Sequence, residues 1–311
     1  MFPIIPANSA ASFTVNDEGI FGYGNNPSAG GYLSMTNLVS NAGVVATDVT
    51  GVGTARRQLA GCEYGGDKGI FGYGYTANEP ATSYFSMTNL VSNAGVVATD
   101  VTGVGTARSA LAACGYGGDK GIFGFGQTPG SKLGMTNLVS NAGVVATDTA
   151  AVGTARSALG ACEYGNDKGI FGYGNDGAHM EVCDITNLVS NAGVVASDVT
   201  GVGTEREGVA ACGYGYDKGI FGYGATGDAG TALSMTNLVT NAGVVGTDVT
   251  GVGTARYYLA ATQYGEDKGI FGYGQNSFYS RTNLVTNVGV VGTDVTGVGT
   301  ARRNLAACSF N

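Results

Sequence analysis

One short stretch of the chain concentrates side chains that could bind a metal ion or transfer a proton. His179, the only histidine of the sequence, lies there among four other candidate ligands, which are Asp176, Glu181, Cys183 and Asp184. A single histidine excludes a metal site with several histidines and a histidine-based triad, although paired carboxylates would still suffice for acid–base chemistry. We interpret the stretch as a polar loop, and we expect no catalytic residue, no metal and no cofactor.

An aspartate stands eight residues before an arginine at six places. The pairs are Asp48 with Arg56, Asp100 with Arg108, Asp148 with Arg156, Asp198 with Arg206, Asp248 with Arg256, and Asp294 with Arg302. A guanidinium group can bond a carboxylate or several loop carbonyls at once. Because six identical active sites are uneconomical, the pattern predicts structural pairs. The alternative, arginines that bind an anion at the mouth of a channel, would require free guanidinium groups.

The cysteines follow the same spacing. Five of them lie six residues after one of these arginines, at Cys62, Cys114, Cys162, Cys212 and Cys308, and Thr262 takes the place of the sixth. A threonine in the series indicates small buried fillers rather than metal ligands or disulfides. Cys183 lies outside the series, and we expect it to be a free thiol that faces solvent.

The spacing repeats because the whole chain repeats, with a period of about fifty residues. GIFGYG, once GIFGFG, begins at Gly19, Gly69, Gly121, Gly169, Gly219 and Gly269, and TNLV begins at Thr36, Thr88, Thr136, Thr186, Thr236 and Thr282. The chain starts and stops part-way through a repeat, so its last ten residues supply the piece that the first repeat lacks. This complementarity favours a closed ring over an open solenoid.

Each repeat contains four candidate strands: the small residues around LAAC, then GIFGYG, TNLV, and the β-branched VVATDVT. Turn signals at YGGDKG, NAG and GVG separate them. The sequence therefore predicts an all-β fold, a six-bladed β-propeller of four-stranded antiparallel blades, closed by pairing of the C-terminal strand with the N-terminal blade. It forms one domain over residues 1–311, with a lead-in at 1–11 and a closing strand at 302–311.

The copies differ mainly in two places. One is the loop between GYG and TNLV, at 25–35, 75–87, 127–135, 175–185, 225–235 and 275–281; the other is the pair of residues after each arginine. In a four-stranded blade both places lie at the same end, and loop lengths that differ in steps of two indicate hairpin extensions. The predicted ligand-binding residues of this variable face are Tyr32, Tyr75, Tyr84, Phe85, His179, Glu181, Tyr257, Tyr258, Phe278 and Tyr279.

Composition limits the partners. The chain of 311 residues carries a net charge of -8 with only 12% charged residues, so it offers no basic surface for nucleic acid. No apolar run reaches the roughly 18 residues of a membrane helix, and the first residues lack the features of a secretory signal. Aromatic side chains beside amides suit recognition of a glycan or a protein receptor.

The stretch GTARSALAACGYGGDKGIFGFG, residues 105–126, resembles kelch-type propellers, although the chain lacks the tryptophan that kelch blades usually carry. The recurring TNLVSNAGVVATDVTGVGTAR with KGIFGYG also resembles repeat arrays of predicted phage tail or structural proteins. That resemblance implies a virion or extracellular location, as a monomer or within a larger assembly. We therefore expect a non-catalytic module that binds a glycan or a receptor. The alternatives are a purely structural ring, recently amplified or engineered, and a polysaccharide hydrolase or lyase that uses Glu79, Asp176 and Glu181.

Overall fold

A computed structural model of the chain describes residues 16–78, 81–177, 182–227 and 230–311. Within these ranges the regular structure is β-strand throughout, apart from one 3-10 turn at Pro27–Ala29. The all-β prediction is confirmed. None of the described residues belongs to a helix with the length and apolar character needed to cross a membrane.

Six antiparallel sheets of three strands contain most of the strand residues, and we number the sheets by the order of their middle strands. The middle strands, formed by the GIFG segments, are Glu18–Gly22 (β1), Lys68–Gly72 (β6), Lys120–Gly124 (β11), Lys168–Asn175 (β16), Lys218–Gly222 (β19) and Lys268–Gly272 (β22). The inner strands, formed by the small residues, are Ala306–Phe310 (β24), Ala60–Tyr64 (β5), Ala112–Tyr116 (β10), Gly160–Tyr164 (β15), Ala210–Tyr214 (β18) and Ala260–Tyr264 (β21). The outer strands, which contain TNLV, are Thr36–Val39 (β4), Thr88–Val91 (β9), Thr136–Val139 (β14), Val182–Val189 (β17), Thr236–Val239 (β20) and Thr282–Val285 (β23).

The prediction of a six-bladed propeller with four-stranded blades is wrong. Each sheet has three strands, no sheet closes on itself, and the VVATDVT segment forms no strand. In the first repeat this segment pairs with the sheet through isolated bridges, from Val45 to Val39 and from Val49 to Thr36. Val45 is buried in the core, whereas Val44 and Val49 are 64% and 48% exposed. Between the bridges the Asn37 side chain donates to Ala46 O and Asp48 Oδ1, so no continuous backbone ladder forms.

The ends of the chain meet in sheet 1, where β24 pairs with β1 over the register Glu18–Phe310 to Gly22–Ala306. The inner strands of successive sheets contact one another in order, and β24 contacts both β5 and β21. Two circular series of backbone hydrogen bonds link neighbouring sheets in the same order. In the first series, a backbone carbonyl in the turn before each middle strand accepts a hydrogen bond of 2.7–3.0 Å from an N–H of the preceding sheet. Gly65 N donates to Asp119 O in this way, and Asn311 N donates to Asp67 O.

The second series lies at the opposite end of the inner strands and involves the second residue after each repeat arginine. The N–H of each of these residues donates to the carbonyl of the equivalent residue in the preceding sheet over 2.8–2.9 Å. The residue of the first repeat along the chain, Gln58, donates to that of the last, Asn304. All six have positive φ between 52° and 63°, a conformation in which N–H and C=O of one residue can both point along the circle. They are Gln58, Ala110, Ala158, Gly208, Tyr258 and Asn304.

The core lies between adjacent sheets. At each of the six interfaces an aromatic residue of one sheet meets a phenylalanine of the next edge to face, with centroids 5.1–5.4 Å apart, as Tyr23 meets Phe71. The paired glycines of GIFGYG permit this approach, since a Cβ on Gly72 would lie 2.7 Å from the ring of Phe123. The buried aromatic pairs hold the sheets together, and the loops that leave the middle strands are free to differ.

Candidate functional site

The repeat arginines belong to the interfaces, and all six are 0% exposed. Arg56 donates from Nε to Tyr73 O, from Nη1 to Thr54 O and from Nη2 to Asn89 Oδ1, over 2.8, 3.0 and 2.7 Å. Its guanidinium carbon lies 4.5 Å from the centroid of the Tyr23 ring in the neighbouring sheet. The other five arginines repeat this pattern, so none offers a free guanidinium group to an anion in a channel.

The aspartates pair with these arginines in a different register from the predicted one. Asp48 lies 3.9 Å from Arg302, not beside Arg56, and Asp100 lies 3.9 Å from Arg56. Asp100 instead accepts hydrogen bonds from Thr54 N, Thr54 Oγ1 and Asn89 Nδ2, at 3.0, 2.7 and 2.9 Å. Eight residues of sequence lead from each aspartate across to the next sheet, so the aspartate lies beside the arginine of its own sheet and not beside the one that follows it in sequence.

Hydrogen bonds set the charge state of these aspartates. Partial burial alone would raise the pKa of Asp100, but the bonds from Thr54 and Asn89 outweigh it and lower the pKa below its usual range. The asparagine of each TNLV segment is 0% exposed and bridges arginine and aspartate in every copy. Sequence analysis missed this role, although the presence of an asparagine in all six TNLV segments was the available signal.

All six cysteines are unpaired and buried, which contradicts the prediction that Cys183 faces solvent. Cys183 is 8% exposed because β16 and β17 continue past the bulge between Gly172 and Gly174, and alternation turns its side chain inward. Burial is the main reason that the pKa of its thiol is raised to about 11. Such a thiol is a packing residue, not a nucleophile.

The inner strands enclose a second cluster that sequence analysis missed. Glu63 and Glu163 converge over Gly115, where a Cβ would lie 2.3 and 2.2 Å from their Oε1 atoms. Burial raises the pKa of both carboxyls, and the charge of Glu63 raises that of Glu163 further, so the two titrate as a pair. Ser309 Oγ donates to Glu63 at 3.1 Å. The space along the inner strands is about 40 Å³, but both carboxylates also border a wider cavity of about 250 Å³ beside the turns that precede the middle strands.

The two variable places of each repeat are neighbours in space. Backbone bridges join the residue after the arginine to the first residue of the variable loop, as between Arg57 and Tyr75 and between Arg303 and Asn25. Three loops form separate two-stranded hairpins. Their strands are Asn25–Asn26 (β2) with Gly31–Tyr32 (β3), Tyr75–Asn78 (β7) with Ala81–Tyr84 (β8), and Gln127–Thr128 (β12) with Ser131–Lys132 (β13).

Large side chains gather on one half of this variable face. Sheets 6, 1 and 2, which are neighbours, carry Tyr257-Tyr258, Arg303-Asn304 and Arg57-Gln58 after their arginines, whereas sheets 3, 4 and 5 carry Ser109-Ala110, Ser157-Ala158 and Glu207-Gly208. We call the large side chains of the first half the aromatic sector; their contacts form three groups, which lie side by side because Gln58 N donates to Asn304 O and Asn304 N donates to Tyr258 O. The sector comprises Tyr32, Arg57, Tyr75, Tyr84, Tyr257, Tyr258, Phe278 and Arg303.

The sector begins at the junction of sheets 1 and 2. The Arg57 guanidinium carbon lies 5.6 Å from the Tyr32 ring centroid and 4.7 Å from that of Tyr75, and Arg57 Nη2 donates to the Tyr75 hydroxyl. Tyr75 stacks on Tyr84 at 5.3 Å with an interplanar angle of 16°. The Tyr32 hydroxyl accepts a hydrogen bond from Ala77 N at 2.8 Å. These rings are half-buried because they pack on one another.

The sector continues at the junction of sheets 6 and 1. The Arg303 guanidinium lies 5.4 Å from the Phe278 ring centroid and donates to Gln275. Tyr258 packs against Tyr257, with centroids 5.1 Å apart, and donates from its hydroxyl to Glu207 at 3.2 Å. Its ring lies over Gly208, where a Cβ would come within 3.0 Å of it. Glycine at 208 thus permits the sector to reach sheet 5.

A depression of about 90 Å³ opens beside the sector at the centre of the same face. Gln58, Tyr258 and Asn304 border it on one side, and Ala110, Ala158 and Gly208 border it on the other. Buried leucine and valine side chains form its floor. Tall aromatic groups beside a low apolar floor give this face one concave, asymmetric region.

Several predicted residues lie elsewhere. Phe85 and Tyr279 take the position of Leu33 in their repeats, and their backbone carbonyls accept a hydrogen bond from the N–H of the arginine that begins the next repeat. Tyr279 packs on Arg281 at 4.5 Å beside a separate outer cleft of about 430 Å³. His179, Glu181 and Glu79 lie outside the described residues.

The described residues contain no group of three His, Cys, Asp or Glu side chains placed to hold a metal ion. Comparison of the chain with protein-family models and with curated proteins gave no match. The geometry of the variable face is therefore the main basis for a functional assignment.

Proposed function

We propose that this protein is a non-catalytic binding protein that recognises a carbohydrate through the aromatic sector. The observation that carries the proposal is the asymmetry of the variable face. Six repeats that are almost identical in their interfaces carry aromatic or guanidinium groups after the repeat arginine in three adjacent sheets, whereas the other three carry small residues and one glutamate there.

The chemistry of the sector suits a sugar. Half-buried tyrosine rings offer flat apolar surfaces to the C–H faces of a pyranose, while hydroxyl, amide and guanidinium groups beside them bind its hydroxyls. Tyr75 and Tyr84 are already stacked, and Arg57 is held between two rings. Preorganised side chains lose little conformational entropy when a ligand binds.

The repeats themselves supply the variants for a test. Tyr75 corresponds to Gln127, and Tyr258 corresponds to Ala110 and Ala158, so Tyr75→Gln and Tyr258→Ala introduce residues that the fold already carries at equivalent positions. We expect the wild-type protein to bind members of a glycan array and the double variant to lose at least about tenfold in affinity, in line with the loss of two aromatic contacts.

Gln127→Ala, at the position equivalent to Tyr75 but on the small half, is the matched control and should bind as the wild type does. Equal binding by wild type and double variant would exclude the sector as the site. Absence of any glycan binding would favour the purely structural alternative, and release of reducing ends from a bound polysaccharide would favour the hydrolase or lyase. Attachment within a phage-like tail stays a prediction of the resemblance.

A further inference from the structure

The fifteen lysines and arginines of the chain are distributed unevenly among structural roles. Six are the buried repeat arginines, and five are lysines that contact the aspartate before them, at Lys68, Lys120, Lys168, Lys218 and Lys268. Of the remaining four, Lys132 donates to Gln127 and Ser157, and Arg281 pairs with Asp294 at 2.8 Å. Arg57 and Arg303 complete the set.

Within the part of the chain that the structure describes, neither Arg57 nor Arg303 has a carboxylate within ion-pair distance. Arg56 and Arg302, which precede them in the sequence, each donate hydrogen bonds from Nε, Nη1 and Nη2. By contrast, Nε of Arg57 and Nε of Arg303 are buried without an acceptor among the described residues. A buried donor without an acceptor costs free energy, and a ligand that brings acceptors to these side chains offsets that cost.

Arg57 and Arg303 occupy neighbouring positions, because Gln58 N, next to Arg57, donates to Asn304 O, next to Arg303, over 2.8 Å. Burial lowers the pKa of Arg303, and the positive charge of Arg57 lowers it further. An arginine side chain keeps its charge in proteins at neutral pH. The aromatic sector therefore holds two neighbouring positive charges on a protein whose net charge is -8.

We infer that Arg57 and Arg303 form an anion subsite within the aromatic sector, and that the carbohydrate is an acidic polysaccharide bearing carboxylate or sulfate groups. The inference rests on the proposed function and specifies its ligand. The planar guanidinium fork matches an oxyanion, and the adjacent rings of Tyr32, Tyr75 and Phe278 match the sugar that carries it. The acidic remainder of the surface repels polyanions and confines their binding to this sector.

The test uses polygalacturonate, the same polymer after carboxyl reduction, and dextran sulfate beside dextran, by isothermal titration at low salt. We expect the wild-type protein to bind a charged polymer at least about tenfold more tightly than its neutral counterpart. Arg57→Ser and Arg303→Ser introduce the residue found at the equivalent positions 109 and 157, and each should weaken binding about tenfold. The charged polymer that binds more tightly identifies whether the subsite recognises carboxylate or sulfate groups.

Arg281→Ser is the matched control, because it removes the same charge from outside the sector and should leave the affinity unchanged. Equal loss in Arg281→Ser would show nonspecific attraction and overturn the subsite. Equal affinity for charged and neutral polymers would overturn the anion inference while the proposed carbohydrate function stands. Poly-L-glutamate binding as tightly as the best polymer would overturn the carbohydrate class, and failure of every polymer and of the glycan array would overturn both proposals. Thermal unfolding of each variant verifies that it is folded.

Discussion

Arg302 and Arg303 are adjacent in the chain and opposite in character. Arg302 is fully buried with three hydrogen bonds, at a position where every repeat has arginine, whereas Arg303 is half-buried with an unbonded Nε, at a position where the six repeats carry four residue types. Arg56 and Arg57 repeat the contrast. Repeated, satisfied groups stabilise the sheets, and unsatisfied groups that break the repetition are available for recognition.

The largest expected effect comes from replacing one arginine of each class with alanine and comparing the loss of folding stability. Arg108→Ala leaves Phe125 O, Thr106 O and Asn137 Oδ1 without their donor, and we expect the free energy of unfolding to fall by about 3–5 kcal/mol. Arg57→Ala should lower it by less than about 1 kcal/mol. Denaturant unfolding at pH 7 measures both, and equal losses would show that the two classes do not differ in structural role.

The second prediction concerns the aspartates of the interface network. Partial burial opposes ionisation of Asp148, but bonds from Thr106 and Asn137 outweigh it and lower its pKa. A lowered pKa in the folded state gives stability that is present above the unfolded pKa of about 3.9 and is lost as the pH falls through the folded value. Asp148→Asn should therefore cost about 1–3 kcal/mol at pH 7.

The cost of Asp148→Asn should shrink as the pH falls below about 4, because the unfolded wild-type chain then takes up a proton at this carboxyl that the folded protein takes up only at a lower pH. Unfolding curves between pH 7 and pH 2 test this convergence. A gap between wild type and variant that stays constant over the whole range would mean that the charge of Asp148 contributes nothing to stability.

The third and smallest effect lies on the inner strands, where the repeats again differ. Burial and the neighbouring Glu63 raise the pKa of Glu163, so the folded protein retains its proton above the usual Glu value of about 4.3. Stability is then lost as the pH rises from that value through the folded pKa. Glu163→Gln should raise the free energy of unfolding at pH 8 by on the order of 1 kcal/mol.

The same variant should also flatten the decline in stability from pH 5 to pH 8. Glu63→Gln is the comparison variant. Because the wild-type Glu63 carboxylate accepts a hydrogen bond from Ser309, this variant should gain less folding stability than Glu163→Gln. A Glu163→Gln protein with the pH profile of the wild type would show that Glu163 ionises normally in the fold.

Some structural features could be predicted from the sequence, and others could not. The repeats, the all-β class and the buried series of small residues follow from spacing, because identical segments must form identical local structures. Spacing also indicated that Asp48 and its counterparts are structural, but it placed them beside the wrong arginine, since eight residues can lead either back to the same sheet or across to the next. The solvent-facing Cys183 failed for a similar reason, because one bulge decides which way a side chain points.

The six copies, their antiparallel strands and the two variable places in each copy could be derived from the amino-acid sequence. The tertiary structure settled that each sheet has three strands, because the asparagine of each outer strand bonds the fourth candidate segment through its side chain and no continuous backbone ladder forms there. It also decided that residues as distant in sequence as Arg57 and Arg303 share one sector, because the chain ends pair and bring the first and last repeats together.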